Sequence, residues 1–366
     1  GGVQSLSVVV NVSSVATDGF KGYFPIAHER GDNLDPNMTM KWFQKVMASD
    51  ADKICHNASY DIGWCRASGI KTNGKIIDTM LAGAIIDENR RGYSLNALSA
   101  EYLGEIKSEV KLREKAEEWG LDAKADLWKL PPSFVGEYAE QDAELTLKLW
   151  RKFETEIKLK NLSSIFEMET KLLPILIEMR EHGIRMDMNK AEVMKKTFVL
   201  EEKKKLHEIK GLTGIDVELW AATSVAKAFD SMKVPYDRTE KTKAPSFTTN
   251  WLHNCTHPLA KLVREAREMN KFHSTFIDSI FKFEHKGRIH AEINQLRSDN
   301  GGTVTGRLSM SNPNLQQVPA RNKEFGKQIR SLFLPDKEKQ WGSFDYSQQE
   351  PRLVVKLGAL VFSVLS

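Results

Sequence analysis

Two stretches rich in valine and aromatic residues, 6–12 (LSVVVNV) and 23–27 (YFPIA), flank a Thr-Asp-Gly turn at 17–19, and the chain beyond them is patterned mostly as helix to about residue 158. β-branched and aromatic runs bounded by such a turn read as a β-hairpin. Apolar spacing predicts helices at 78–86, 94–102, 107–118 and 133–158, with Ile54, Ile76 and Ile77 as strand residues between them. Short strands interleaved with helices bury a sheet against helical layers, so an α/β unit is expected first.

The pattern then changes. Phe166, Leu172, Leu173, Leu176, Ile177 and Met179 keep helical spacing, Gly183 breaks it, and Asp187 or Asn189 can cap the next helix. That helix carries Lys195, Lys196, Lys203, Lys204, Lys205 and Lys210 among Glu201, Glu202 and Glu208, a solvated face. Residues 233–250 read as loop, 257–283 as helix, and Arg288 through the Gly-rich 300–306 as β-rich. A chain of 366 residues suits two or three domains. The net charge of +4 is uneven: residues 1–159 carry 20 basic and 24 acidic side chains, residues 160–366 carry 33 and 25. A basic second part is what phosphate binding requires. No run approaches a membrane span, no secretory signal opens the chain, and three cysteines (Cys55, Cys65, Cys255) fit reduced thiols rather than a disulfide framework.

Chemistry concentrates near the C-terminal end, at Thr305-Gly306-Arg307-Leu308-Ser309, Asn312-Pro313-Asn314-Leu315-Gln316-Gln317-Val318-Pro319 and Phe344-Asp345-Tyr346-Ser347-Gln348-Gln349-Glu350. Asp345 follows Trp341 and Phe344 and is expected at the end of a buried strand, as a hard oxygen ligand for Mg²⁺. Arg307, Asn314, Gln316 and Gln317 are donors suited to the N3 and O2 acceptors of the minor groove, while Arg321 and Arg330 suit phosphates. On residue chemistry alone, a polar loop before an ordinary strand accounts for these residues equally well. Nearer the start, Asn57 and Asp61 stand four apart, as do Tyr138 and Asp142. On helices each pair shares a face, so both aspartates can enter one cleft, with Tyr138 orienting a water and Asn57 hydrogen-bonding nearby, although for any one pair a surface Asp near a buried Tyr is the better account.

Asp-Tyr-Ser-Gln-x-Glu, preceded by Thr-Gly-Arg-Leu-Ser and Asn-Pro-Asn-Leu-Gln-x-x-Pro, resembles the first catalytic motif of family A DNA polymerases and its upstream companion. The Gln-Gln-Glu-Pro-Arg variant and Asp299-Asn300-Gly301-Gly302 resemble the bacteriophage members. Asn57-x-x-x-Asp61 and Tyr138-x-x-x-Asp142, with Asp78-Thr79 and Tyr93-Ser94-Leu95 between them, are similar to the second and third motifs of DEDD 3′–5′ exonucleases. The likeness runs from about residue 15 to about 356. It implies a ribonuclease H-like exonuclease domain (1–158), a helical thumb with the palm entry (159–297) and a partial palm (298–366).

By position, the resemblance implies that Asp345 ligates two metals and the Tyr346 carbonyl one, that Glu350 packs under the incoming sugar, and that Arg321 lies near the nucleotide. Arg307 is implied at the primer end, Asn314, Gln316 and Gln317 along the minor groove, Asp61 and Asp142 as exonuclease metal ligands, Tyr138 beside the attacking water, and Asn57 in support. The implied cofactor is Mg²⁺, with Mn²⁺ possible. Implied partners are primer-template DNA and deoxynucleoside triphosphates, in the bacterial host cytoplasm for a phage protein. No large insertion interrupts 190–285, so no thioredoxin partner is expected.

The family pattern is incomplete. No Asp-x-Glu precedes Asn57, and neither the nucleotide-binding helix nor the His-Asp-Glu of the family follows Glu350. The expected explanation is truncation at both ends, with the first sheet strand upstream of Gly1; the alternative puts Asn11-Val12-Ser13 at the motif with both carboxylates lost. The expected activity is template-directed DNA synthesis with proofreading by the parent enzyme, the fragment alone being inactive. A stand-alone nuclease of the RNase D type and a non-catalytic DNA-binding remnant are the alternatives.

Overall fold

The computed structural model describes residues 4–9, 12–106, 109–123, 125–299, 301–319 and 325–356, with side chains from Val15 onward. Strands β1 (Gln4–Val9), β2 (Val12–Thr17), β3 (Phe20–Pro25), β4 (Lys53–Cys55) and β5 (Ile76–Asp78) form one sheet in the order β3-β2-β1-β4-β5. β1, β2 and β3 are antiparallel, while β4 runs parallel to β1 and β5. The stretch 6–12 therefore belongs to two strands. Gln4–Val9 holds the central place, so the expectation of a first strand ahead of Gly1 is corrected: the pairing of β1 with both β2 and β4 fills that position. Asn11 lies outside the described residues.

Helices cover both faces. α1 (Pro36–Ala48) and α2 (Ala58–Ala67) lie on one side, α3 (Thr79–Ile86), α4 (Leu95–Leu103) and the 28-residue α6 (Pro132–Leu159) on the other; α5 (Val110–Glu118) packs at the N-terminal end of α6. The period of two along each strand decides the layers. Cys55 and Ile76 point into a core with Phe43, Met47, Ile62 and Cys65, whereas Ile54 and Ile77 point into one with Leu98, Leu149 and Phe153.

Buried polar groups lock the start of α6. Tyr23 Oη donates to His28 Nε2 (2.5 Å), and His28 Nδ1 donates to the Leu130 carbonyl (2.5 Å), which fixes a neutral ring in a buried position. Burial lowers the His28 pKa from its ordinary 6.5, while the Leu130 hydrogen bond opposes that shift. The unfolded chain thus takes up the proton first. The stability His28 contributes is complete above the ordinary value and is lost as pH falls through the folded one. Between about pH 7.5 and about pH 5.5 the melting temperature is expected to drop, and His28→Gln is expected to flatten that dependence while lowering the plateau. Equal pH slopes for the two proteins would refute the assignment.

α7 (Ser163–His182) joins this unit to the second. There β6 (Ile184–Met186) leads into α8 (Met188–Thr213), α9 (Ala222–Ser231), the short pair β7 (Asp237–Arg238) and β8 (Pro245–Ser246), α10 (Thr249–Asn254) and α11 (Pro258–Lys271). A π-helical turn, Phe272–Ile277, continues into α12 (Asp278–Phe283), so the expected helix 257–283 is one run with a widened turn. α8 packs along α11, and α9 to α11 close a core of Ile209, Val225, Phe229, Leu252, Leu259 and Val263. β9 (Glu284–His285) and β10 (Arg288–Ile289) follow. They form the sheet β13-β6-β10-β9 with β13 (Phe333–Leu334) at its edge. β11 (Glu292–Asn294) pairs with β12 (Ser309–Ser311), and α13 (Phe325–Arg330) precedes β13.

Candidate nucleic-acid interface and exonuclease cleft

α2 starts at Asn57, whose left-handed backbone (φ 72°) turns the chain out of β4. The Asp78 carboxylate holds that turn. It accepts from the backbone N–H of Asn57 (3.0 Å), Ala58 (2.8 Å) and Met80 (2.9 Å), so one side chain caps both α2 and α3. Thr79 Oγ1 adds a bond to the Cys55 carbonyl (3.1 Å). Asp61 sits one turn into α2 and is buried. Burial pushes the Cys65 thiol up to about 12 and the Cys55 thiol well up, with the Asp61 charge adding to each, so both stay protonated and unreactive.

On the other face, Tyr138 and Asp142 share one side of α6, a turn apart. Burial, and then the Asp142 charge, raises the Tyr138 pKa, keeping its hydroxyl a donor. α2 and α6, the helices that carry Asp61 and Asp142, pack on opposite faces of the sheet. Among the described residues no three His, Cys, Asp or Glu side chains gather where they could hold a metal ion. The described donors thus assemble no complete two-metal centre of the kind that the motifs imply.

On the polymerase side, the cis peptide Asn312-Pro313 leads into a 3₁₀ turn, Leu315–Gln317. Asn314 caps this turn by accepting from the Gln316 N–H (3.1 Å), and Gln316 Nε2 donates to the Leu308 carbonyl (3.0 Å). The two side chains shape the loop, and Gln317 faces a groove of about 400 Å³ between this loop and α11. Across the groove stand Arg264, Arg267 and Lys271, one charged stripe at i, i+3 and i+7. Arg267 is committed internally: it donates to the Leu219 (2.8 Å) and Phe247 (2.7 Å) carbonyls and lies over the Trp220 ring, 5.2 Å from its centroid. Sequence reading passed over Arg264 and Arg267, although their helical spacing with Lys271 was the available signal.

Asp345 does not end a buried strand. Residues 341–350 are exposed, 341–346 are irregular, and helix returns at 349–356. A strand needs a partner to pair with, and among the described residues none pairs with 341–346; the sheet ends at the edge strand β13. Tyr346 is 81% exposed. Arg307 Nη2 and Glu350 Oε1, expected at primer and nucleotide, pair with each other at 2.9 Å in an exposed ion pair. Arg321 lies outside the described residues. No described helix is long and apolar enough to cross a membrane.

Comparison with known proteins agrees with both halves. The sequence model described as DNA polymerase family A matches residues 188–359, and that of a 3′–5′ exonuclease matches residues 14–158. The chain is 34% identical to a DNA-directed DNA polymerase of Pseudomonas phage M6, over 97% of its own length and 55% of the relative's. It is 32% identical to the DNA polymerase DpoZ of Acinetobacter phage SH-Ab 15497 (85% and 54%) and 29% identical to DNA polymerase I of Synechocystis (92% and 34%). It spans about half the length of the phage relatives it matches. The fold resembles the POL domain of Pol1 from M. smegmatis, solved with DNA primer-template and dNTP, at a TM-score of 0.71 and 20% identity, over 91% of this chain and 54% of that one. This chain belongs to the family A DNA polymerases, with a 3′–5′ exonuclease domain ahead of its polymerase region.

Proposed function

We propose that these residues form the exonuclease unit and the primer-template grip of a phage DNA-directed DNA polymerase. In that reaction a primer 3′-hydroxyl attacks the α-phosphate of a deoxynucleoside triphosphate and pyrophosphate leaves. The observation that carries the reading is the groove between α11 and the Asn-Pro-Asn-Leu-Gln-Gln loop. Arg264 and Lys271 supply the backbone charge, and Gln317 supplies a sequence-independent donor to the minor groove. Arg307 reaches the primer end once its pair with Glu350 opens. Both side chains are exposed, so that opening costs about 1 kcal/mol or less. Glu350 under the sugar, Arg321 near the nucleotide, and Asp345 and Tyr346 at the reacting phosphates complete the assignment. Divalent ions serve polymerase and exonuclease domains of these families generally. The described donors do not gather such a site, so no step is assigned to a metal here.

Primer-template affinity tests the grip. Binding is expected to weaken steeply with salt, and the double variant Arg264→Ala/Lys271→Ala is expected to lose about tenfold or more in affinity on every sequence. Its slope of log K against log salt should fall by roughly two, one per phosphate contact removed. An unchanged slope would exclude the groove as the DNA site. The misfit of the metal donors favours a second reading for the chain alone, binding without turnover, and in that case the same affinities hold.

A further inference from the structure

Between β11 and β12, residues 295–299 lie against the exonuclease unit and residues 301–302 lie on the way back to β12. The outgoing arm is anchored twice. Buried Gln295 donates through Nε2 to the Glu169 carbonyl (2.7 Å), and Leu296 packs against the core of Ile54, Ile77, Tyr93 and Leu98. At the tip, Asp299 Oδ1 accepts the backbone N–H of Tyr93 at 2.5 Å, across 206 residues of sequence. Tyr93 itself is fixed: its ring is fully buried and its hydroxyl donates to the Asp87 carbonyl (2.8 Å).

The return arm has no slack. The Ser298 N–H donates to the Gly301 carbonyl (2.7 Å). Gly302 has φ 93°, and a Cβ there would lie 2.1 Å from the Leu296 carbonyl oxygen, so only glycine fits. Thr303 Oγ1 then donates to the Arg307 carbonyl (2.8 Å), and the Thr305 hydroxyl donates to Thr303 Oγ1 (3.2 Å). Separate hydrogen bonds at Asp299, at Ser298–Gly301 and at Thr303 thus lie along one segment between the exonuclease loop and the residue assigned to the primer end.

We propose that the exonuclease loop 87–93 is the seat of the polymerase's primer loop, and that Asp299 is the positioning residue that couples them. The consequence for DNA binding rests on the assignment of Arg307 to the primer; the mechanical coupling does not. Without its acceptor the part-buried Tyr93 N–H loses its partner across the two halves, which shifts the loop's open population by up to about tenfold. Asp299→Asn keeps an oxygen at the same place and serves as the rescue variant.

The test uses the full chain with Asp299→Ala, Asp299→Asn and Arg307→Ala. Three readouts are hydrogen exchange at the Tyr93 and Ser298 amides, the rate of tryptic cleavage after Arg307, and primer-template affinity. Asp299→Ala is expected to speed exchange and cleavage about tenfold and to weaken DNA binding severalfold, with Asp299→Asn close to wild type in all three. Wild-type cleavage after Arg307 in Asp299→Ala, or an Asp299→Asn variant as impaired as Asp299→Ala, overturns the coupling. Unchanged affinity in Arg307→Ala overturns the primer assignment instead and leaves the exchange and cleavage results to judge the coupling.

Discussion

Replacing Lys53 with methionine is expected to destabilise the exonuclease unit by about 3 kcal/mol, near the upper end of what single substitutions do. Lys53 opens β4 and is 1% exposed. Its ammonium donates to three backbone carbonyls, Ser49 (2.8 Å), Ala51 (2.5 Å) and Asn73 (3.0 Å). A buried cation is tolerated when its protons are all used, and here each goes to a loop oxygen for which the described residues offer no other donor. The same side chain thereby ties the α1–β4 loop to the loop before β5. Methionine fills the volume and leaves three carbonyls short of a partner. Urea unfolding, followed through amide exchange in β4 and β5, reads the loss as a lower midpoint. A shift below about 1 kcal/mol would show that water replaces the ammonium and that the clasp is dispensable.

Lys53 also shows where sequence reading stops. Nothing in KIC distinguishes a buried lysine from a strand-edge one, because its acceptors come from residues 49, 51 and 73 and exist only once the loops meet. Helices α3 to α6 were legible within a few residues, since long amphipathic runs carry their own period. The division of 6–12 between two strands was not: a valine run holds no marker for the reversal, and pairing sets it. Asp345 misled for the same reason, as an apolar run becomes a strand only beside an edge. At the candidate sites, motif spacing singled out Asn57, Asp61, Tyr138 and Asp142 as candidates. It gave no hint that Asp78 caps two helices, or that Asp299 bonds to Tyr93 from the other half of the chain. Long-range polar bonds leave no local pattern, whereas the stripe of Arg264, Arg267 and Lys271 does leave one.

Mg²⁺-dependent nucleotide addition by this chain is expected to be undetectable, and so is excision of a primer end. Two-metal chemistry needs several carboxylates converging on ions about 3.5–4 Å apart, which clamp the attacking and leaving oxygens together. Here Asp345 is exposed on an irregular segment, and among the described residues no three His, Cys, Asp or Glu side chains gather. A lone exposed carboxylate competes with water for an ion that gives up its hydration reluctantly. The central strand, Gln4–Val9, brings no acidic residue to join Asp61 and Asp142. Binding and turnover should therefore separate: primer-template affinity retained and salt-sensitive, with no product in Mg²⁺ or Mn²⁺. Extension by the purified chain that disappears in Asp345→Ala would sink this expectation, and excision that disappears in Asp142→Ala would sink its exonuclease half.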